Sequence, residues 1–188
     1  MLALLTRIFL DERAHTLQAA EQAMRLALYD PLTGLPNRKL IDERLAQALA
    51  SAKRGGLQFA LLFIDLDKFK PVNDEYGHAI GDLLLKEVAM RLQHFVRASD
   101  TVGRLGGDEF VALLLDIKGK QGAGVVAEKI LHALAQPFDI SGHSLSIAAS
   151  IGIAIFPDNA LEQNSLLRSA DKAMYEAKNS GRSTIRFA

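Results

Sequence analysis

Apolar residues follow two rhythms along this chain, helical spacing in some stretches and nearly unbroken runs in others. Residues 1–29 contain neither proline nor glycine and are rich in Ala, Leu, Gln, Glu and Arg, which predicts a helix. Leu10, Ala14, Leu17, Met24 and Leu28 fall on a heptad-like seam, with Glu21 its one polar intrusion. A parallel helix pair descending from an upstream sensor would carry such a seam, and so would a single helix lying on its own domain. Two prolines and a glycine in Asp30-Pro31-Leu32-Thr33-Gly34-Leu35-Pro36-Asn37-Arg38 then end the helix. Asn37 can cap the next one, whose apolar positions Leu40, Ile41, Leu45, Ala48 and Leu49 keep helical spacing until Gly55-Gly56.

Leu57–Leu66 is mostly apolar and predicts a central strand covered on both faces. A helix is expected from Leu83 to about Arg97, with Leu84, Leu85, Val88, Leu92 and Phe95 as its buried stripe. Thr101–Leu105 and Phe110–Leu115 suit two strands joined at Gly106-Gly107, since glycine accepts positive φ without steric cost. Gly119–Gly124 reads as a loose connection to a helix carrying Val125, Val126, Ile130, Leu131 and Leu134. Phe138–Leu145 is a hairpin with Ser141-Gly142 at its turn, followed by an apolar strand over Ile147–Phe156. Asn164 or Ser165 can cap a last helix with Leu167, Ala170, Met174 and Ala177 on one face, and Gly181 sits where a helix-ending glycine belongs. This order predicts an α/β (α+β) domain, a central mixed β-sheet flanked by helices, behind an N-terminal helix.

Composition narrows the picture. The 188 residues suit one domain with an appendage and suffice for a sizeable core. With 22 basic and 22 acidic residues the formal charge is zero, so no global field favours nucleic acid or a membrane surface. Absence of cysteine excludes disulfides, thiolate metal sites and cysteine nucleophiles, and fits a cytoplasmic location. The opening Met1–Leu10 is apolar but interrupted by Arg7, too short to span a bilayer, and without the basic start of a signal peptide. Attachment to a membrane through a longer parent protein stays open.

Candidate chemistry concentrates at two acidic places. Arg104-Leu105-Gly106-Gly107-Asp108-Glu109-Phe110 sets two carboxylates at a hairpin beside a core strand. Such a pair is costly to hold without a cation, and a hard divalent ion takes oxygen ligands; a solvated acidic turn is the plainer reading of those residues alone. Asp65 and Asp67 point to one side of an extended chain and Leu66 to the other. Acids at the carboxyl end of a central strand sit where open sheets form their ligand crevice, although strand-end aspartates also cap turns. Lys68 and Lys70 follow closely enough to meet a phosphate, while Asn73 and Asp82 offer hydrogen-bonding side chains of opposite character. His78, with no second nearby histidine, reads as structural. Lys178 and Arg182, taken alone, read as favourable charge at a helix C-terminus.

Five motifs in order change the weighing. Asp-Pro-Leu-Thr-Gly-Leu-Pro-Asn-Arg, Ile-Asp-Leu-Asp-Lys-Phe-Lys, Asn-Asp-x-x-Gly-His-x-x-Gly-Asp, Arg-Leu-Gly-Gly-Asp-Glu-Phe and Ala-Lys-x-x-Gly-Arg strongly resemble the GGDEF family of diguanylate cyclases. The resemblance covers about residues 30–186, dividing the chain into a linker or signalling helix (1–29) and a cyclase domain (30–188). It implies a fold similar to class III nucleotidyl cyclases and polymerase palm domains. It also implies condensation of two GTP into cyclic di-GMP and two pyrophosphates, with Mg²⁺ or Mn²⁺. By the same resemblance Asp65 and Asp108 are metal ligands with the carbonyl of Leu66, and Glu109 joins Asp108 at the metal or acts as base. Asn73 and Asp82 would read the guanine; Lys178 and Arg182 would hold phosphates, assisted by Lys70 and by backbone amides near Lys68 and Phe69. Arg97 and Asp100 resemble the family's inhibitory product site, with Lys129 a further basic residue. One domain carries one set of motifs, so catalysis is expected across a two-fold homodimer. A non-catalytic module sensing GTP or cyclic di-GMP and regulating an attached phosphodiesterase domain is the alternative; sensor domains in a longer parent are expected with either, and nucleic acid with neither.

Overall fold

A computed structural model of the chain describes residues 22–188, together with Gln18 and Ala19. Helix α1 is seen over residues 22–28, with Met24 and Leu26 both 65% exposed. The seam positions Leu10, Ala14, Leu17 and Glu21 lie outside the described residues. No helix among the described residues is long and apolar enough to cross a membrane.

Helix α2 (Arg38–Gly55) begins where Asn37 accepts a bond from the Leu40 amide and ends at Gly56, whose φ of 64° lets its own amide return to Ala52 O. Its buried residues Ile41, Leu45, Ala48 and Ala52 recur every three or four positions, the stripe a sheet-facing helix needs. Strand β1 (Phe59–Asp67) is buried at all nine positions. Helices α3 (Phe69–Tyr76) and α4 (His78–His94) follow, separated by Gly77 at φ 82°. The hairpin of β2 (Thr101–Gly106) and β3 (Glu109–Leu114) leads to α5 (Gly119–Leu134). After it come β4 (Phe138–Ile140), β5 (His143–Leu145), β6 (Ala148–Phe156), α6 (Gln163–Asn179) and β7 (Thr184–Phe187).

Five strands form one sheet in the order β2-β3-β1-β6-β7, and β4-β5 form a separate ribbon. Pairing is antiparallel except for β7, which joins β6 in parallel, so the sheet is mixed as expected. Alternation along β1 divides the core. Leu62, Ile64 and Leu66 pack with residues of α4 and α5 such as Leu84, Val88 and Ile130. Phe59, Leu61 and Phe63 pack on the other face with Ile41 and Leu45 of α2 and Met174 of α6. Each such side chain removed from water contributes about 1.5–3 kcal/mol. Gly152 lets α6 rest directly on β6: a Cβ there would overlap the backbone of Ala170 and Met174.

The structure corrects five expectations. Helix α3 occupies the stretch after Asp67, where the sequence pattern predicts none, and α4 begins at His78 instead of Leu83. Pro71 sits in the first turn of α3, where a missing amide hydrogen breaks no helical bond. Gly119–Gly124 belongs to α5, held by Ala123, which is fully buried. The last helix starts directly after Glu162, ahead of Asn164 and Ser165, and β7 is an edge strand the pattern does not predict.

Candidate active site

The period of two that buries Phe59, Leu61 and Phe63 on one face of β1 also decides where the strand puts its acids. Asp65 and Asp67 continue that same face at its carboxyl end. Asp65 is aligned with Glu109 of β3 and with Ser150 of β6. The turn of the β2–β3 hairpin is Gly107-Asp108, with Gly106 at φ 141° and Gly107 at φ 53°. Asp108 therefore sits in the turn itself, and its carbonyl accepts the Leu66 amide at 3.2 Å. A residue's own N–H and C=O leave a strand on the same edge, so the Leu66 carbonyl faces the hairpin tip. Asp65, Leu66, Asp108 and Glu109 are thus neighbours at one end of the sheet.

Their electrostatics are unbalanced. Burial pushes the Asp65 carboxyl above its ordinary range, the Lys178 ammonium opposes that, and the charges of Asp108 and Asp67 add to the rise. Lys178 Nζ, from the last turn of α6, lies 2.6 Å from Asp65 Oδ2. The lysine reaches across to the strand instead of only neutralising its own helix end. Among the described residues no three acidic or histidine side chains converge into a ready-made metal nest. The donors are nevertheless hard carboxylate oxygens, and the repulsion around Asp65 is what a cation relieves, so their chemistry fits a hard divalent ion such as Mg²⁺.

The hairpin tip is braced from behind. Arg104 donates to Gly107 O through Nε at 3.0 Å and through a terminal nitrogen at 2.7 Å, while its other terminal nitrogen meets both Asp30 oxygens at 3.0 and 3.1 Å. Burial alone would raise the Asp30 pKa, but the hydroxyl and amide of Thr33 and the Arg104 guanidinium together hold it below the ordinary value.

Asn73 on α3 meets the start of α4 at Gly81, beside the exposed Asp82. A Cβ on Gly81 would overlap Asn73 Oδ1, a buried atom without a hydrogen-bond partner among the described residues. Lys68 and Lys70 are exposed around the N-terminus of α3, where Lys68 takes φ 67° and offers no side-chain cap, and Phe69 is buried. Arg182 has φ 63°, a side chain 62% exposed, and Nε 3.8 Å from Asp67.

Arg97 and Asp100 lie elsewhere, in a groove of about 370 Å³ that Arg44 also lines. Asp100 accepts the amides of Leu115 and Arg97 at 3.0 and 2.9 Å. Lys129 does not join them: it lines a separate groove of about 790 Å³ with Phe95, Val125 and Phe187. Arg44 escapes sequence reasoning because its local context is an ordinary helix face; only folding brings α2 beside Thr101, to which it donates at 2.7 Å.

A mixed sheet with flanking helices and carboxylates gathered at a hairpin and a strand end defines a palm-like nucleotidyl cyclase fold. The family described as "Diguanylate cyclase, GGDEF domain" matches residues 27–184. The chain belongs to the GGDEF family. It is 51% identical over 170 residues to the bifunctional diguanylate cyclase/cyclic di-GMP phosphodiesterase MucR of Pseudomonas aeruginosa, covering 90% of this chain and 25% of that protein. It is 44% identical over 163 residues to diguanylate cyclase TpbB of the same species, covering 86% of this chain and 38% of that protein. The chain therefore spans between about a fifth and two fifths of the curated relatives it matches. The GGDEF domain of TpbB superposes with a TM-score of 0.83 at 43% identity, covering 85% of this chain and 94% of that one. The coiled coil and GGDEF domain of DgcB from Caulobacter crescentus, solved in complex with c-di-GMP, gives 0.85 at 28% identity, covering 95% and 94%.

Proposed function

We propose that this domain is a diguanylate cyclase that condenses two GTP into cyclic di-GMP and two pyrophosphates. The observation that carries the reading is the meeting of Asp65 with the Asp108-Glu109 tip, with Lys178 already at the carboxylate. Asp65, the Leu66 carbonyl, Asp108 and Glu109 would hold Mg²⁺ or Mn²⁺. When bound, the ion neutralises phosphoryl charge and lowers the pKa of the attacking hydroxyl.

The chain's own residues do the rest. Asn73 and Asp82 read the guanine through its acceptor and donor edges. Lys178, Arg182, Lys70 and the uncapped amides at Lys68 and Phe69 hold the triphosphate. The 3′-oxygen of one GTP forms a bond to the α-phosphorus of the other, the bond from that phosphorus to the bridging oxygen breaks, and pyrophosphate leaves. Glu109 takes the 3′-hydroxyl proton. The second ester forms in the same way with the roles exchanged, which requires two domains facing each other across a two-fold axis. Cyclic di-GMP then binds back at Arg97 and Asp100, where Arg44 supplies the second guanidinium in place of Lys129.

Incubation with GTP and Mg²⁺, with products resolved by chromatography, tests the reading: cyclic di-GMP accumulates, and specific activity rises with protein concentration as dimers form. Intact GTP after prolonged incubation at high protein concentration would overturn it. A sensing module is the second reading, favoured by 36% identity over 163 residues to cyclic di-GMP phosphodiesterase NbdA of Pseudomonas aeruginosa. It predicts nucleotide binding without turnover.

A further inference from the structure

Asp67 ends the central strand only 3% exposed, and no step above uses it. A buried carboxylate needs donors close by. Ser150 Oγ donates to its two oxygens at 3.1 and 3.0 Å, and the Ser183 amide donates to Oδ2 at 3.1 Å. Arg182 Nε stands 3.8 Å from Oδ1.

The segment Asp67 holds is strained. Gly181, Arg182 and Ser183 take φ of 115°, 63° and 47° in succession, turning the chain from the end of α6 into β7. Left-handed backbone at a non-glycine residue costs about 1 kcal/mol or more, and persists where surrounding contacts impose it. Two contacts do so here: the Arg182 amide to Ala177 O at 3.2 Å, and the Ser183 amide to Asp67. Ser150 fixes the carboxylate from the neighbouring strand, so the turn is anchored to the rigid centre of the sheet.

We propose that Asp67 is a positioning residue, whose carboxylate holds the 181–183 turn and thereby aims Arg182 at the triphosphate. The proposal rests on the GTP-binding reading above. It makes the two acids of β1 different in kind: Asp65 meets the ion and substrate, whereas Asp67 shapes the backbone carrying a phosphate ligand.

The probe is a GTP analogue with a methylene group between the α- and β-phosphorus, titrated with Mg²⁺ into the full chain by calorimetry, beside guanosine alone. Asp67→Ala should weaken analogue binding about tenfold or more, the scale of a lost bond to a charged group, and leave guanosine binding unchanged. Asp67→Asn, which keeps an acceptor for the Ser183 amide, should fall between wild type and alanine. In an Arg182→Ala background either change should cost less than about twofold, because the residue it acts through is gone. Should Asp67→Ala not fold, Asp67→Asn and its pair with Arg182→Ala carry the test. Equal losses with and without Arg182, or equal losses for guanosine and analogue, would overturn the proposal. Wild-type protein that binds neither probe would instead sink the GTP-binding reading and this inference with it.

Discussion

Asp65 lies near the end of β1 and Asp100 just before β2, yet the fold treats the two acids in opposite ways. Asp100 is satisfied by two backbone amides and closes a local turn with Arg97. Asp65 is buried, repelled by its neighbours and balanced by the ammonium of a flexible lysine. Amides are fixed by the chain and cannot leave, whereas an ammonium can move to a phosphate when a cation takes its place. The contrast separates a carboxylate held by backbone donors from one whose charge is met by a side chain.

The largest effect should come from the exchangeable side. Asp65→Asn and Asp108→Asn should each lower turnover by about 10³-fold or more, while the thermal unfolding midpoint stays within a few degrees of wild type. Full activity in either variant would dissolve the distinction. Next is Gly81→Ala, where the added methyl displaces the Asn73 amide and should raise the KM for GTP about 10- to 100-fold, on the scale of a misplaced recognition group. Steady-state kinetics with a far-ultraviolet spectrum as a folding check would show it.

On the structural side, Asp100→Asn should cost about 1–3 kcal/mol of stability by weakening its bonds to two amides. Urea denaturation measures it, and an unchanged midpoint would deny Asp100 its structural part. Smaller still is Asp30→Asn. Its folded-state pKa lies below the unfolded value of 3.8, so its stabilisation is present above that value and is lost as pH falls through the lowered one. The wild-type advantage in urea midpoint should be full at neutral pH and vanish in strong acid; an advantage independent of pH would place the effect in packing.

Much of this is legible in the sequence where a single strong cue acts. The mostly apolar run of β1, the Asn37 cap and the Ser141-Gly142 turn each depend on local chemistry, and each stands in the structure. Helix α3 hides because it is short and contains a proline, and β7 because four edge residues carry little pattern. The start of α5 is masked by glycines that tertiary packing overrides. Lys178 on Asp65, Ser183 on Asp67 and Arg44 in one groove with Arg97 join residues far apart in the chain. No local rule announces such pairs. The family motifs point to most of these positions without saying what each side chain touches.

Gly152 carries a practical consequence. With no side chain as a spacer, the height of the last helix above the sheet is set by bare backbone, and the reach of its terminal lysine follows from that height. A library of variants screened only for the proposed cyclase activity would score a bulky residue at 152 as if the carboxylate cluster itself had been altered.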